Sequence, residues 1–528
     1  MNKDLLTVSE ASEWATQYVD KEISTSNISY LIQYGIVKKH SNDDTTQVLK
    51  QDLIKYYKSY NGQKENKWKE ELGEDINWRL SFDNLAEKER TKHVHRLHPY
   101  KGKFIPQLVE YFLDDHTDEY KKEVFFQMGD IVFDPFCGSG TALVQANELG
   151  LHAIGVDISA FNSLISNVKT NKHNLFNLQQ EIRNITIALK NFVAGSNHIS
   201  FKNELYDEMK KFNDQFFPSP EFRYKVRNGK IDQMKYGKEK EKLFLDVFYR
   251  LVKKYDIDVE QEQSENFLDK WYLKPTRDEI DFVFDLVSQI ENTDTKKVLA
   301  VILSRTIRSC RATTHSDLAT LIDPVTTPYY CRKHGKICKP LFSILRWWKR
   351  YTKDTVKRLA KFHKIRTATF QHCFVGDSRT IEIFAALNQT NPAFADFAQN
   401  KKIKGIFSSP PYVGLINYHQ QHAYAYDLFG FDRRDESEIG PLYKGRGKEA
   451  RDEYVIGISD VLINSKRFLV DNYDVFLVAN DKNHLYPIIA DRADMTIVNR
   501  YRRPVLNRTE KNKTPYSETI FHIKDVLA

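Results

Sequence analysis

The stretch DIVFDPFCGSGTALVQANELGLHAIGVDIS, residues 130–159, constrains this chain more than any other. It reads as a short apolar strand, a glycine turn, a helix, and a second strand ending in an acid. That order is one βαβ unit, which implies a parallel sheet with crossover helices. Gly138 and Gly140 let the backbone turn sharply and approach a ligand where a Cβ would collide. The helix N-terminus at Thr141 can receive an anionic group through its free N–H donors. Sixteen residues after Gly140 the second strand ends at Val156-Asp157, an acid placed to accept both hydroxyls of a ribose.

Strand texture resumes at CFVGDS (373–378), IKGIFSSPPY (403–412), YDVFLVAND (473–481) and TIFHI (519–523). Between the two groups, residues 171–300 follow a helical pattern rich in Lys, Glu, Asn and Phe. The expectation is an α/β sheet interrupted by a large, mainly helical insertion. A chain of 528 residues exceeds what one hydrophobic core supports, so further units are expected. At the N-terminus, Thr7 or Ser9 caps TVSEASEWATQYV, Ser24 or Ser26 caps a second helix ending at Gly35, and a polar wing-like loop covers 40–46. This pattern resembles the helix-turn-helix of excisionase-type and MerR-type proteins; the alternative is a helical hairpin used for packing or dimerisation. The expected division is 1–62 helix-turn-helix-like DNA-binding unit, 63–92 linker, 93–170 first catalytic half with the cofactor site, 171–370 helical insertion and target-recognition domain, and 371–528 second catalytic half.

DPFCGSGT, with VD at 156–157, GD at 376–377 and SPPY at 409–412, resembles the S-adenosylmethionine-dependent amino-methyltransferases of DNA. The resemblance covers residues 93–170 and 371–528. It implies a Rossmann-like class I methyltransferase sheet that uses S-adenosylmethionine. It also implies that Asp134, Gly138 and Gly140 hold the methionine end, that Asp157 holds the ribose, that Asp377 faces the adenine amino group, and that Pro135, Phe136 and Thr141 belong to the cofactor site. HPYKGKFIPQLVEYF (98–112) is similar to the element preceding the glycine loop in that family, where Phe104 would wall the pocket or simply pack in the core.

Ser409-Pro410-Pro411-Tyr412 follows a strand directly, at the carboxyl edge where α/β sheets bind ligands. Two prolines stiffen the turn and pre-aim the Ser409 oxygen and the Pro410 carbonyl. Acceptors placed for the two protons of an exocyclic amine favour a pyramidal nitrogen and free its lone pair for attack on a methyl group. Tyr412 offers a face on which a flipped base can stack. C5-cytosine chemistry needs a Pro-Cys loop, and the chain has no Pro-Cys dipeptide. In the family, Ser at the first position leans to cytosine N4, and Asp or Asn to adenine N6. The reading favoured here is N4-cytosine methylation of duplex DNA by base flipping, with N6-adenine as the alternative. An RNA N-methyltransferase and a non-enzymatic DNA-binding regulator are the other classes. A companion restriction endonuclease acting on the same site is an expected partner.

Charge supports a polyanionic substrate once it is located. Residues 332–366 hold thirteen Lys/Arg and one acid, Asp354, within a chain of formal net charge +8. Arg346, Lys349, Arg350, Lys353, Lys357, Arg358 and Lys361, interleaved with Trp347, Trp348 and Tyr351, suit DNA phosphates, against the plainer reading of a solvated amphipathic helix. Two further loops are candidates for DNA contact, Lys444 with Arg446, and Arg500–Arg503.

Five cysteines are too few for a disulfide framework. Cys331-x2-His334-x3-Cys338 has ligand-like spacing for a structural zinc, with Cys310 or Cys373 as the expected fourth ligand. No long uncharged apolar run and no basic-then-apolar leader are present, so a cytoplasmic address and no membrane contact are expected.

Overall fold

The apolar run Ile131–Asp134 becomes an inner strand of a seven-stranded sheet. The computed structural model describes residues 4–20, 22–42, 45–59, 67–73, 76–82, 85, 87–194, 197–259, 266–317, 321–505 and 515–526. In chain order its strands are β1 (Leu5–Thr7), β2 (His40–Asn42), β3 (Thr45–Leu49), β4 (Ile131–Asp134), β5 (His152–Asp157), β6 (Tyr329–Cys331), β7 (Lys336–Cys338), β8 (Gln371–Val375), β9 (Ile403–Ser408), β10 (Leu469–Ala479), β11 (Met495–Pro504) and β12 (Ser517–Asp525).

The large sheet has the order β11-β12-β10-β9-β4-β5-β8. β8, β5, β4, β9 and β10 are parallel neighbours, and β12 runs antiparallel between β10 and β11. The chain steps outward from β4 through β5 to β8, then returns to the other side of β4 with β9. That reversal opens a crevice beyond the carboxyl ends of β4 and β9. Parallel strands covered on both faces must be apolar throughout. Accordingly Ile131 and Phe133 join one buried cluster while Val132, between them, joins the other. Gly405 of β9 is dictated by contact, because a Cβ there would lie 2.1 Å from the Asp474 carbonyl oxygen.

The strands expected from the sequence form as β4, β5, β8, β9, β10 and β12. β11 carries no such strand texture, and Arg500–Arg503, expected as a loop, lies within it. β11 is the sheet edge, and its basic side chains and Pro504 are what protect an edge from pairing further, so no apolar alternation marks it.

The chain forms two compact units. The unit bearing the large sheet comprises Leu72–Ile187, Phe282–Ser309 and Leu345–Ala528. The other comprises Met1–Glu71, Ala188–Asp281 and Cys310–Ile344. This differs from the expected boundaries. The basic helix Leu345–His363, expected within the insertion, belongs to the sheet-bearing unit because it buries Trp348, Thr352, Thr355, Leu359 and Phe362 there.

In the other unit, Thr7 forms a reciprocal capping box with Glu10 ahead of the helix Val8–Val19. Ser24 caps Thr25–Gln33 in the same way with Asn27. β1, β3 and β2 form a small antiparallel sheet beside them. Residues 43–44 of the expected wing-like loop, and 63–66, 74–75, 83–84 and 86 of the expected linker, lie outside the described residues. The helices His198–Phe216 and Gln233–Tyr255 share a second, phenylalanine-rich core, as the helical pattern of 171–300 implies. No helix among the described residues is long and apolar enough to cross a membrane.

Gly405→Ala should destabilise the protein by about 2 kcal/mol or more, since neither strand can move aside. Gly447→Ala, with nothing within 4 Å of the added Cβ, should change little. Denaturant midpoints of the two variants test this.

Candidate active site

The glycine turn between β4 and the helix Thr141–Glu148 takes its shape from contacts that exclude side chains. Gly138 has φ 51°, and a Cβ there would sit 3.0 Å from the Tyr100 hydroxyl. Gly140 has φ 72°, and its Cβ would lie 2.8 Å from Ser166 Oγ. Gly138 thus faces the site, whereas Gly140 permits close packing of the turn on the helix Ala160–Thr170. That helix also holds the turn's carbonyls. Ser166 Oγ donates to Gly138 O at 3.0 Å, and the buried Lys169 Nζ donates to Ser139 O at 2.5 Å. Burial pushes the Lys169 pKa well below its ordinary value. Cys137 is packing, since its Sγ fills the space that a Cβ on Gly155 would need.

A cleft opens over this turn. Of the expected cofactor residues, Phe104, Asp134, Pro135, Phe136, Gly138, Thr141, Asp157 and Asp377 line it, and Gly140 does not. Asp157 Oδ1 accepts from Ser159 N at 2.8 Å and Asn162 Nδ2 at 3.0 Å, and Oδ2 accepts from Gly138 N at 2.7 Å. A carboxylate has about four acceptor positions, so one remains on Oδ2 rather than the two expected for a pair of hydroxyls. Asp134 accepts from Phe136 N at 3.2 Å and from Ser408 Oγ at 2.5 Å.

Burial raises the carboxyl of Asp134 to about 7 and that of Asp157 to about 6. Neither forms an ion pair among the described residues. Ser139 Oγ and Asn162 Oδ1, both on the cleft wall, are buried without a hydrogen-bond partner. Two buried acids and two unpartnered polar atoms suit a ligand that is cationic and rich in hydroxyl and amine groups, as S-adenosylmethionine is. Asp377 is gripped by Arg379 through both carboxylate oxygens, which holds its pKa below the usual range despite burial. Tyr100, Lys103, Asn162, Tyr418 and Glu438 also line the cleft, and sequence reasoning does not single them out. Tyr100 and Lys103 stand inside the HPYKGKF segment, two and five residues beyond His98, whereas Glu438 carries no local signal. Its Oε1 accepts the His419 N–H at 2.7 Å and faces His419 Nδ1 in a buried pair.

The expected catalytic residues divide between two cavities. Ser409 and Pro411 line the cofactor cleft. Ser409 Oγ donates to Val478 O at 3.2 Å, leaving its lone pairs to accept. Tyr412 lines a neighbouring cavity with Tyr454, Asn480, Tyr486 and Arg446, and its hydroxyl donates to Glu518 at 3.3 Å. Pro410 is buried between them in sequence and lines neither.

On the basic helix, Arg346, Lys349, Arg350, Lys353, Lys357 and Lys361 are exposed. Arg358 is not free: it pairs with Asp354 at 2.8 Å and donates to the Lys92 and His93 carbonyls. Asp354, the segment's one acid, is also held by Arg305 at 2.7 Å. Arg350, Lys353, Lys357 and Arg358 line a broad groove with Arg96 and Arg305. Tyr100 and Lys103 stand in the walls of both this groove and the cofactor cleft. Lys444 pairs with Glu453 at 2.7 Å, and Arg446 Nε donates to Gly414 O at 3.1 Å. Of the expected metal ligands, Cys331, His334 and Cys338 come together, but the neighbour beside them is His315 rather than Cys310 or Cys373. Cys373 lies in the sheet-bearing unit, against Cys137.

A family model described as DNA methylase, of the N6/N4 type, matches residues 7–168. The chain is 45% identical over 526 residues to the type II methyltransferase M.MjaII of Methanocaldococcus jannaschii, covering 99% of this chain and 97% of that one. It is 35% identical over 120 residues to the type II methyltransferase M.MvaI of Kocuria varians, covering 21% of this chain and 24% of that one. No solved structure matches.

The raised carboxyls carry a pH dependence. An unfolded aspartate titrates near pH 4. In the cofactor-free protein Asp134 and Asp157 keep their protons up to about pH 7 and about pH 6. The folded state therefore binds more protons in that window, and these two groups make stability fall as pH rises from about 4 to about 7. Asp134→Asn should flatten this slope, measured as denaturant midpoint against pH. A slope unchanged by the substitution would contradict burial as its source.

Proposed function

Because the chain belongs to the type II DNA methyltransferases of the N4/N6 amino type, we propose that it transfers a methyl group from S-adenosylmethionine to the N4 amine of cytosine in duplex DNA. One observation carries the reading: Ser409 and Pro411 share a single cleft with Asp134, Gly138 and Asp157. Ser409, the side chain proposed to accept from a target amine, thus lines the same cleft as the residues proposed for the methyl donor.

Asp134, Asn162 and the Gly138 turn would hold the amino-acid end of the cofactor, and the remaining Oδ2 position of Asp157 would take a ribose hydroxyl. When bound, the cofactor supplies a methyl group on a sulfonium centre. The Ser409 oxygen and the Pro410 carbonyl would accept hydrogen bonds from the two amine N–H groups, directing the nitrogen lone pair at the methyl carbon. As the nitrogen–carbon bond formed, the carbon–sulfur bond would break to leave a neutral thioether, and the methylated amine would lose one proton to water. A base inside a duplex cannot reach this point, so it enters flipped, against the ring of Tyr412 in the neighbouring cavity. The exposed lysines of the basic helix hold phosphates beside it, since Tyr100 and Lys103 join their groove to the cleft. The N-terminal helix-turn-helix-like region and the helices of the second unit would supply target recognition. A nuclease cutting the same unmethylated site is the fitting companion. Ser409 at the head of the loop supports cytosine over adenine.

Labelled cofactor, mixed-sequence duplex DNA and mass spectrometry of the product nucleosides test the reading. N4-methylcytosine is expected; N6-methyladenine would reverse the choice of base, and label entering RNA alone would reverse the choice of substrate. Tyr412→Ala should cut turnover at least tenfold while cofactor affinity holds, whereas Asp157→Ala should weaken cofactor binding. Lys353→Ala combined with Lys357→Ala should reduce the salt slope of DNA binding by roughly 0.9 for each phosphate no longer neutralised, whatever the sequence.

A further inference from the structure

We propose that His315, Cys331, His334 and Cys338 form a four-ligand structural zinc site that pins the β6–β7 hairpin. The hairpin's alternation separates two faces. Tyr330 and Ile337 enter the phenylalanine-rich core of their unit, while Tyr329, Cys331 and Cys338 point to the opposite side. On that side the buried cluster consists of Tyr329, Cys331 and Cys338 with Val325 against them. Between Cys310 and Tyr329 the described residues contain no helix or strand. A segment without regular structure gains from a cross-link, which small modules obtain from a metal.

The donors are already gathered. One ligand atom from each of the four residues lies within 4.8 Å of every other. Cys331 Sγ is 3.8 Å from His315 Nδ1, and Cys338 Sγ is 3.4 Å from His334 Nδ1. A tetrahedron with zinc–sulfur bonds of about 2.3 Å and zinc–nitrogen bonds of about 2.0 Å has sulfur–nitrogen edges of about 3.5 Å. The two measured separations bracket that edge. The turn that brings His334 round is fixed by its own backbone, since the His334 and Gly335 N–H groups both donate to Cys331 O, at 3.1 and 2.7 Å. Gly335 takes φ 63° to allow it. Tyr329 Oη accepts the His315 backbone N–H at 3.0 Å, which ties that residue's main chain to the hairpin. Two thiolates with two imidazoles select zinc among abundant divalent ions, and four protein ligands leave no open position for catalysis. Both cysteines are free of disulfide bonds.

The full-length protein, purified without chelator and with zinc in the growth medium, should carry one zinc per chain by elemental analysis. Exchange with cobalt(II) should give the visible spectrum of tetrahedral, thiolate-bound cobalt, saturating at one equivalent. Cys331→Ser and His315→Ala should each lower bound metal at least tenfold, while Cys310→Ser and Cys373→Ser keep it. A strong chelator should lower the thermal unfolding temperature of the wild-type protein. Absence of stoichiometric zinc together with octahedral or no cobalt binding in the folded wild type would overturn the proposal. So would loss of metal in Cys310→Ser with retention in His315→Ala. The cobalt titration of the unaltered chain decides the matter even where a ligand variant fails to fold.

Discussion

One buried hydrogen bond, from Ser408 Oγ to the Asp134 carboxyl at 2.5 Å, ties the two halves of the site together. Asp134 ends β4 and opens the glycine turn; Ser408 ends β9 and opens the SPPY turn. Neighbouring strands lie about 4.8 Å apart, so the two turns leave the sheet one strand spacing from each other. That spacing is set by backbone hydrogen bonds rather than by any ligand. Such a hydrogen bond contributes about 0.5–1.5 kcal/mol while the acid is protonated and about 1.5–3 kcal/mol once it is ionised, and here it also orients the acid that faces the cleft. The reversal of strand order at this pair is what leaves the space above it open. The glycine turn, the helix that props its carbonyls and the stiff diproline turn are all ways of keeping that space in register.

Those parts are legible in the sequence because they are local. Glycines at 138 and 140, an acid at the end of each strand and a diproline after β9 are written within short windows, and each chemistry demands its residue type there. Even so, the two glycines serve different needs, which spacing alone cannot separate: one clears the ligand space, the other clears Ser166. By spacing Asp157 is free for two hydroxyls, but three donors already occupy it. Glu438, Tyr418 and His315 give no signal, since each reaches its place through loops whose course depends on tertiary contacts. β11 escapes because the device that guards a sheet edge, charge with proline, is the same composition that marks a loop. What local pattern misses is consistently of long range.

The basic segment shows how sequence distance misleads about spatial address. Lying within the long interruption of the strand pattern, residues 345–363 read as part of an inserted domain. Their amphipathic stripe, Trp348 to Phe362, instead belongs to the sheet-bearing unit, and only the lysine-rich face is left to solvent. The buried stripe of an amphipathic helix and the lysine-rich face proposed for phosphates therefore lie on opposite sides of one helix. Arg358 sits on the boundary and is committed to Asp354 and two backbone carbonyls, so it supports the groove's shape more than its charge.

Each compact unit is assembled from three separate stretches, so the chain passes between them five times, after residues 71, 187, 281, 309 and 344. On a ribosome this ordering has a consequence. β4 and β5 emerge early, but the edge of β4 that β9 will cover stays open until β9 is made. Domains commonly fold as they are synthesised; the residues between Leu6 and Tyr57 carry an apolar cluster of their own, but the seven-stranded sheet cannot close before β9 is made. A nascent chain halted anywhere before β9 has half a crevice, with one strand edge bare and no acceptor turn. Activity therefore arrives only with a nearly finished polypeptide, and unfinished chains are a burden for chaperones and proteases rather than weaker versions of the same catalyst.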